Sequence, residues 1–227
     1  MTKNYHGMLC QYAGAAMTKF RFRYIKTGKA KYISHLDLMA TMQRSFLRAG
    51  LKLEYSKGFN PHPYISVALP LPVGSESICE LMDVGLKDDV IPNIKDIKLP
   101  VGISIVEVYK PARKFNEAAW IDVEAEVQYT QRTFNDIIEK LKQHFMQKNI
   151  VISKKSKRGY KDIDIIPYIK DMSFYEDKGI YFRAKISAQN PTLNASDLEN
   201  AFGDDLKPDG MKIKRIEIYD SSMILFK

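Results

Sequence analysis

Phe20, Phe22 and Tyr24 alternate with Arg21 and Arg23, the period-two pattern of a strand with one apolar and one polar face. Ser34-His35-Leu36-Asp37 follows as a capping-box-like start to a helix that runs to about Ala49 and stops at Gly50. On that helix Asp37, Thr41, Arg44 and Arg48 share the polar side, and Leu36, Met39, Ala40, Phe46 and Leu47 are read as the apolar side. Strands are predicted over 51–55, 64–69, 78–86 and 101–109, with a short helix over 90–97 that Pro92 weakens. After the loop 110–118 the order restarts. Ile121, Val123, Ala125 and Val127 alternate with Asp122, Glu124 and Glu126, and a helix over 130–148 gathers Phe134, Ile137, Ile138, Leu141 and Phe145 on one face. Strands over 150–153, 163–172, 180–188 and 211–219, with a short helix from Asn194 to Phe202, complete the pattern.

Both halves read β-α-β-β-α-β. That order predicts an α+β fold of tandem ferredoxin-like units with antiparallel sheets, the first over 17–110 and the second over 111–227. Residues 1–16 show no periodicity, and Met1-Thr2-Lys3 is echoed by Met17-Thr18-Lys19, so this stretch is read as a leader or disordered tail.

Composition narrows the classes. With 45% hydrophobic and 27% charged residues in 227, the chain has the balance of a globular protein that buries a core. No run approaches the roughly 20 apolar residues of a membrane span, and no signal peptide is recognised, so no membrane partner and a cytoplasmic location are expected. Cys10 and Cys79 are too few for a disulfide framework or a cysteine-rich metal site. A net charge of +8 favours a polyanionic partner, RNA ahead of a membrane surface.

The densest chemistry lies in Tyr55-Ser56-Lys57-Gly58-Phe59-Asn60-Pro61-His62-Pro63-Tyr64. Gly58 can take φ > 0, Asn60 can bond its own backbone, and Pro61 and Pro63 fix φ on either side of His62. Such restraint suits a binding or catalytic loop and also a well-ordered turn. If His35 and His62 meet Glu80 and Asp83 of the strand that follows, they make a metal site or an acid/base pair for RNA cleavage. No HExxH or CxxC run is present, so neither a metal nor a cofactor is assigned. Arg44 and Arg48 fit a solvated helix face or a clamp on phosphate or carboxylate.

In the second half Lys154, Lys155, Lys157, Arg158 and Lys161 surround Tyr160, cations for phosphates with a ring for stacking, or the tip of a solvated hairpin. Arg183 and Lys185, and in the first half Arg21 and Arg23, are read as extensions of the basic surface. There is no aromatic RNP signature, P-loop, dinucleotide fingerprint, nucleophile elbow or CxxxCxxC run.

Ile33-Ser34-His35-Leu36-Asp37-Leu38-Met39, Arg44, Arg48-Ala49-Gly50-Leu51 and Ser56-Lys57-Gly58-Phe59-Asn60-Pro61-His62-Pro63 together resemble the radical-SAM-linked domain of unknown function. Leu69-Pro70-Leu71-Pro72-Val73-Gly74, Glu80, Asp83 and the stretch 157–167 continue the resemblance, which spans about 19–219. It implies a domain fused to, or encoded beside, a radical-SAM protein with a cobalamin-binding-like region. In this chain that partner would be a separate polypeptide.

The expectation is a non-catalytic accessory module that binds RNA for a radical-SAM modifying enzyme. Its substrate pocket would hold His35, Asp37, Arg44, Arg48, Tyr55, Ser56, Asn60, His62, Glu80 and Asp83, with Lys154, Lys155, Lys157, Arg158, Tyr160 and Lys161 on the nucleic acid. One alternative is a metal-independent RNA endonuclease, with His62 or His35 as general acid/base and Tyr55 or Arg44 stabilising the phosphorane. Another is a docking domain for the radical-SAM protein.

Overall fold

A computed structural model describes residues 17–130, 134–156 and 159–227; the expected leader 1–16 lies outside them. The first half contains β1 (Thr18–Lys26), α1 (His35–Arg48), β2 (Ile65–Val67), β3 (Glu76–Leu86) and β4 (Ile103–Tyr109). The second contains β5 (Ala118–Gln128), α2 (Phe134–Phe145), β6 (Val151–Ser156), β7 (Gly159–Asp164), β8 (Ile169–Glu176), β9 (Ile180–Ser187), α3 (Ala195–Asn200), α4 (Gly203–Leu206) and β10 (Gly210–Asp220). The fold is mixed α+β, dominated by one large, mostly antiparallel sheet in the order β4-β1-β3-β10-β5-β9-β8, with β2 also on β3. Two separate sheets were expected; here the halves join edge to edge. Strands β6 and β7 form a separate two-stranded ribbon.

The join is short. β10 runs parallel to the start of β3, with Lys214 opposite Glu76 and Arg215 opposite Ser77. Further along, β2 pairs antiparallel with β3 from Met82 to Val84. Since β1 covers the opposite edge of β3, β10 and β2 share one edge, and the sheet forks between them.

α1 is N-capped by Ser34, whose Oγ accepts from the Asp37 N–H. Its buried stripe is Leu38, Met42, Ser45 and Phe46, so of the expected apolar side Phe46 is buried and Met39 packs at the core's margin, whereas Leu36 is 78% exposed and Leu47 47%. The spacing 38-42-45-46 follows the 3.6-residue period, whereas Leu36 and Leu47 fall outside the arc that meets the sheet. Phe46 meets Phe22 of β1 at 4.8 Å between ring centroids. In the second half Ile137, Leu141 and Phe145 of α2 join Val123, Phe182 and Phe202 in one core cluster, as their shared helix face predicts. A smaller cluster ties Phe226 to Cys79, Leu81 and Ile218.

Other elements differ from expectation. The helix predicted over 90–97 is a single 3-10 turn, Ile94–Asp96, beyond Pro92. The strand over 51–55 is reduced to isolated bridges at Leu53 and Tyr55. The strand over 163–172 is broken by a 3-10 turn, Ile166–Tyr168, that contains Pro167 and separates β7 from β8. No helix among the described residues is long and apolar enough to cross a membrane.

Candidate functional site

The 55–63 loop is pinned at its base. Ser56 N–H donates to the His62 carbonyl at 2.8 Å, and His62 N–H donates to Ser56 Oγ at 2.9 Å. Tyr55 and Pro63 bridge below that pair. Gly58 has φ of 129°, a conformation open to glycine and strained for other residues. The result is a stiff projection whose tip carries Phe59 fully exposed, with Lys57, Asn60 and His62 exposed around it.

His35 is elsewhere. Lys26 Nζ donates to the Ile33 carbonyl at 3.1 Å, which places the start of α1 at the C-terminal end of β1. Thr18 lies opposite Leu86, and Leu86 bridges to Leu53, which places the 55–63 loop at the N-terminal end of β1. A strand of 9 residues separates the two histidines, roughly 26 Å at about 3.3 Å per residue. The Asp37 carboxylate accepts from Ser34 Oγ at 2.7 Å, and Arg48 donates to Ser45 Oγ at 3.0 Å. Arg44 is exposed on the same helix.

Glu80 and Asp83 are buried, and each is held by an arginine. Arg21 grips Asp83 with Nε at 2.7 Å and Nη2 at 3.0 Å while stacking its guanidinium 4.3 Å from the Phe115 ring. Arg215 Nη1 donates to Glu80 at 2.8 Å and to the Leu69 carbonyl at 2.7 Å. Neither carboxylate reaches an exposed histidine. Among the described residues no group of three His, Cys, Asp or Glu side chains is placed to hold a metal ion.

Around Glu80 lies a buried polar cluster. The Tyr24 hydroxyl has no hydrogen-bond partner among the described residues, and burial, reinforced by the Glu80 charge, raises its pKa well above the ordinary phenol value. Lys26 is buried too, and loss of hydration lowers its pKa, opposed by Glu80. Cys79, next in the strand, is pushed up to about 12 chiefly by burial.

Arg215, the partner of Glu80, also lines a cavity of about 260 Å³ beside the fork in the sheet. One wall is Leu69-Pro70-Leu71-Pro72, the floor includes Val123, Ile213 and Arg215, and the far wall is the stretch from Gln189 to Leu198. Sequence reading passed over Arg215. Its signal was a break in alternation: Ile213 and Arg215 have the same parity, and the apolar residues then shift to Ile216 and Ile218. The register shift between Arg215 and Glu217 is the β-bulge that this break marks.

The basic hairpin divides. Lys154 is taken up by the Asp197 carboxylate and the Thr192 carbonyl. Tyr160 and Lys161 on β7 are exposed. Lys155 stands opposite Tyr160 in the β6–β7 register, and Lys157 and Arg158 lie outside the described residues. The cations read as extending this surface are matched internally: Arg183 on Asp122, Lys185 on Asp171, Arg21 on Asp83 and Arg23 on Glu217. Asp164 Oδ1 accepts from the Ile150 and Ile166 N–H groups and closes the hairpin.

No curated protein matches the chain. Residues 19–195 match the family described as an uncharacterized protein conserved in bacteria, DUF2344. The match takes in the 69–72 wall of the cavity, the far wall as far as residue 195, the 55–63 loop and the β6–β7 hairpin, and the chain belongs to that family.

Proposed function

We propose that the protein is a non-catalytic accessory module that binds RNA and presents it to a separately encoded radical-SAM modifying enzyme in the cytoplasm. The observation that carries the RNA reading is Phe59, a bare ring on a loop whose base is held by two hydrogen bonds. A stiff mount loses little conformational entropy on binding, and an unpaired base offers the flat face such a ring stacks on. Lys57 stands two residues away for the backbone phosphates. Tyr160, 73% exposed beside Lys161, repeats the combination on the β6–β7 ribbon. The radical-SAM partner follows from the resemblance of the Ser34–Gly50, Ser56–Pro63 and Leu69–Gly74 motifs.

We read each half as a ferredoxin-like unit. The strand orders β4-β1-β3-β2 and β10-β5-β9-β8 support this, each with the first and third strands central. The first unit then has a 3-10 turn in place of its second helix, and the second carries the β6–β7 ribbon as an insertion.

The test is fluorescence anisotropy with a labelled single-stranded RNA across a salt series. Log affinity should fall with log salt at about −0.7 per phosphate neutralised. Phe59→Ala should weaken binding by about 1–3 kcal/mol, the loss of one stacked base. Charge reversal at Lys155, Lys157 and Arg158 should abolish it. Affinity indifferent to salt and to Phe59 refutes the RNA reading. Metal-free cleavage of the RNA that His62→Ala removes would instead establish the endonuclease. Nuclease-resistant co-purification with the radical-SAM protein would favour the docking domain.

A further inference from the structure

The walls of the fork cavity are pinned by hydrogen bonds of their own, and that holds it open. In the 69–72 wall the Leu69 carbonyl accepts from Arg215 at 2.7 Å, and just before it the Ala68 N–H donates to the Leu81 carbonyl at 3.0 Å. Pro70 and Pro72 fix φ beyond that anchor, and the Ser75 N–H closes the turn on the Pro72 carbonyl at 3.2 Å. On the far wall the Leu193 N–H donates to the Ser187 carbonyl at 2.9 Å, Lys154 holds the Thr192 carbonyl, and the Asn194 side chain caps α3. Protein interiors seldom leave a void much larger than a water molecule, and walls fixed in this way cannot relax inward to close one. The volume of about 260 Å³ exceeds the roughly 150 Å³ that admits benzene and falls just under the range of drug-sized sites.

The lining sets the charge of what fits. Ile121 and Val123 of β5, Ile186 of β9, and Leu193 and Leu198 of the far wall are buried apolar side chains. Among the described residues that line the cavity, Arg215 is the one that carries a charge, and Glu80 already answers it at 2.8 Å. An ion that entered would shed its hydration and meet no free counter-charge, so the site favours a neutral molecule. Burial also gives a direction. Pro70 and Pro72 are exposed and Gln189 and Thr192 half-buried, so these residues lie toward the mouth and the five buried ones toward the floor.

We propose that this cavity binds a small neutral molecule with a compact apolar body, the body against Val123, Leu193 and Leu198 and any polar end toward Gln189 and Thr192. The site is independent of the RNA reading, since Phe59 and Tyr160 take no part in it.

The probe is 3-phenylpropanol, with 3-phenylpropanoate and 3-phenylpropylammonium as charged analogues of similar length, titrated into the full chain and followed by amide NMR shifts. The alcohol should saturate at roughly millimolar concentration, with the largest shifts at Val123, Leu193 and their neighbours. Each ion should bind roughly tenfold more weakly or worse. Leu71→Trp fills the cavity from its half-buried wall and should remove binding of the alcohol. Leu71→Asp sets an unpaired carboxylate on the same wall and should weaken the alcohol by about tenfold. If either variant fails to fold, the comparison of the alcohol with the two ions on the wild-type chain decides the question by itself. Binding of either ion as tightly as the alcohol overturns the proposal. So does wild-type affinity in a folded Leu71→Trp, a set of shifts centred outside the cavity, or absence of any saturable shift up to about 10 mM.

Discussion

Asp83 is the residue whose assignment most affects how the family motif is read, and its role can be measured. The side chains of Arg21 and Asp83 are 0% and 7% exposed, and their two hydrogen bonds are 2.7 and 3.0 Å. Asp83→Ala removes the carboxylate and leaves a buried guanidinium with the Arg113 carbonyl and the Phe115 and Phe226 rings as its remaining partners. Arg21 Nη1 already has no acceptor among the described residues, so little slack exists for repair. Breaking a buried pair from one side costs about 3–5 kcal/mol. With an m-value of about 3 kcal/mol/M, the urea midpoint should fall by roughly 1–1.7 M. Replacing both partners, as Arg21→Met with Asp83→Leu, should recover most of that loss, because no charge is then stranded. The assay is urea unfolding followed by circular dichroism. A loss below about 1 kcal/mol for Asp83→Ala would show that the pair is not formed in solution, and would return Asp83 to the list of ligand contacts.

Alkaline pH should destabilise the fold. Cys79 is held up to about 12 by burial while an unfolded thiol ionises near 9, so between these values the native state keeps a proton that the unfolded state releases. Stability should therefore fall by about 1.4 kcal/mol per pH unit once pH passes about 9, with Tyr24 adding to the fall above about 10. The lowered pKa of Lys26 acts in the opposite sense up to its unfolded value. Urea midpoints at pH 8, 9, 10 and 11 check this, and Cys79→Ala should delay the onset. In a Cys10→Ser background the native protein should not react with a thiol reagent at pH 8, because Cys79 is 1% exposed, and should react fully in urea. Ser34→Ala should cost about 1 kcal/mol through loss of the α1 cap, measured by thermal melting.

Local pattern carried much of the fold. Strand alternation in β1 and β5, the Ser34 cap and the spacing of Ile137, Leu141 and Phe145 each follow from a short-range rule that the structure obeys. The failures arise where a tertiary partner decides. Leu36 and Leu47 look like core residues on a helix considered alone, yet the angle at which α1 meets the sheet leaves them outside. The edge pairing of β10 with β3 joins residues 76–77 to 214–215, and no local rule connects stretches that far apart. For the candidate site, the loop's stiffness was legible from Gly58, Pro61 and Pro63, but its distance from His35 was not. Composition gave the excess of cations and could not reveal that Arg21, Arg23, Arg183 and Lys185 are each matched by a carboxylate.

The same long-range pairing explains why Glu80 belongs with Arg215 instead of with the histidines. Parallel strands usually pair over long, buried runs, whereas the β10–β3 pairing covers two residues before β2 takes over the edge. Two strands leaving one edge must diverge, and the space between them has to be filled by side chains or a ligand. At that seam Glu80 of β3 accepts from Arg215 of β10, and Leu69 contributes its carbonyl from the connecting segment. An ion pair alone would have satisfied Glu80 with any cation. An arginine there also reaches the Leu69 carbonyl, so one side chain from β10 ties β3 and the connecting segment together where the two halves meet.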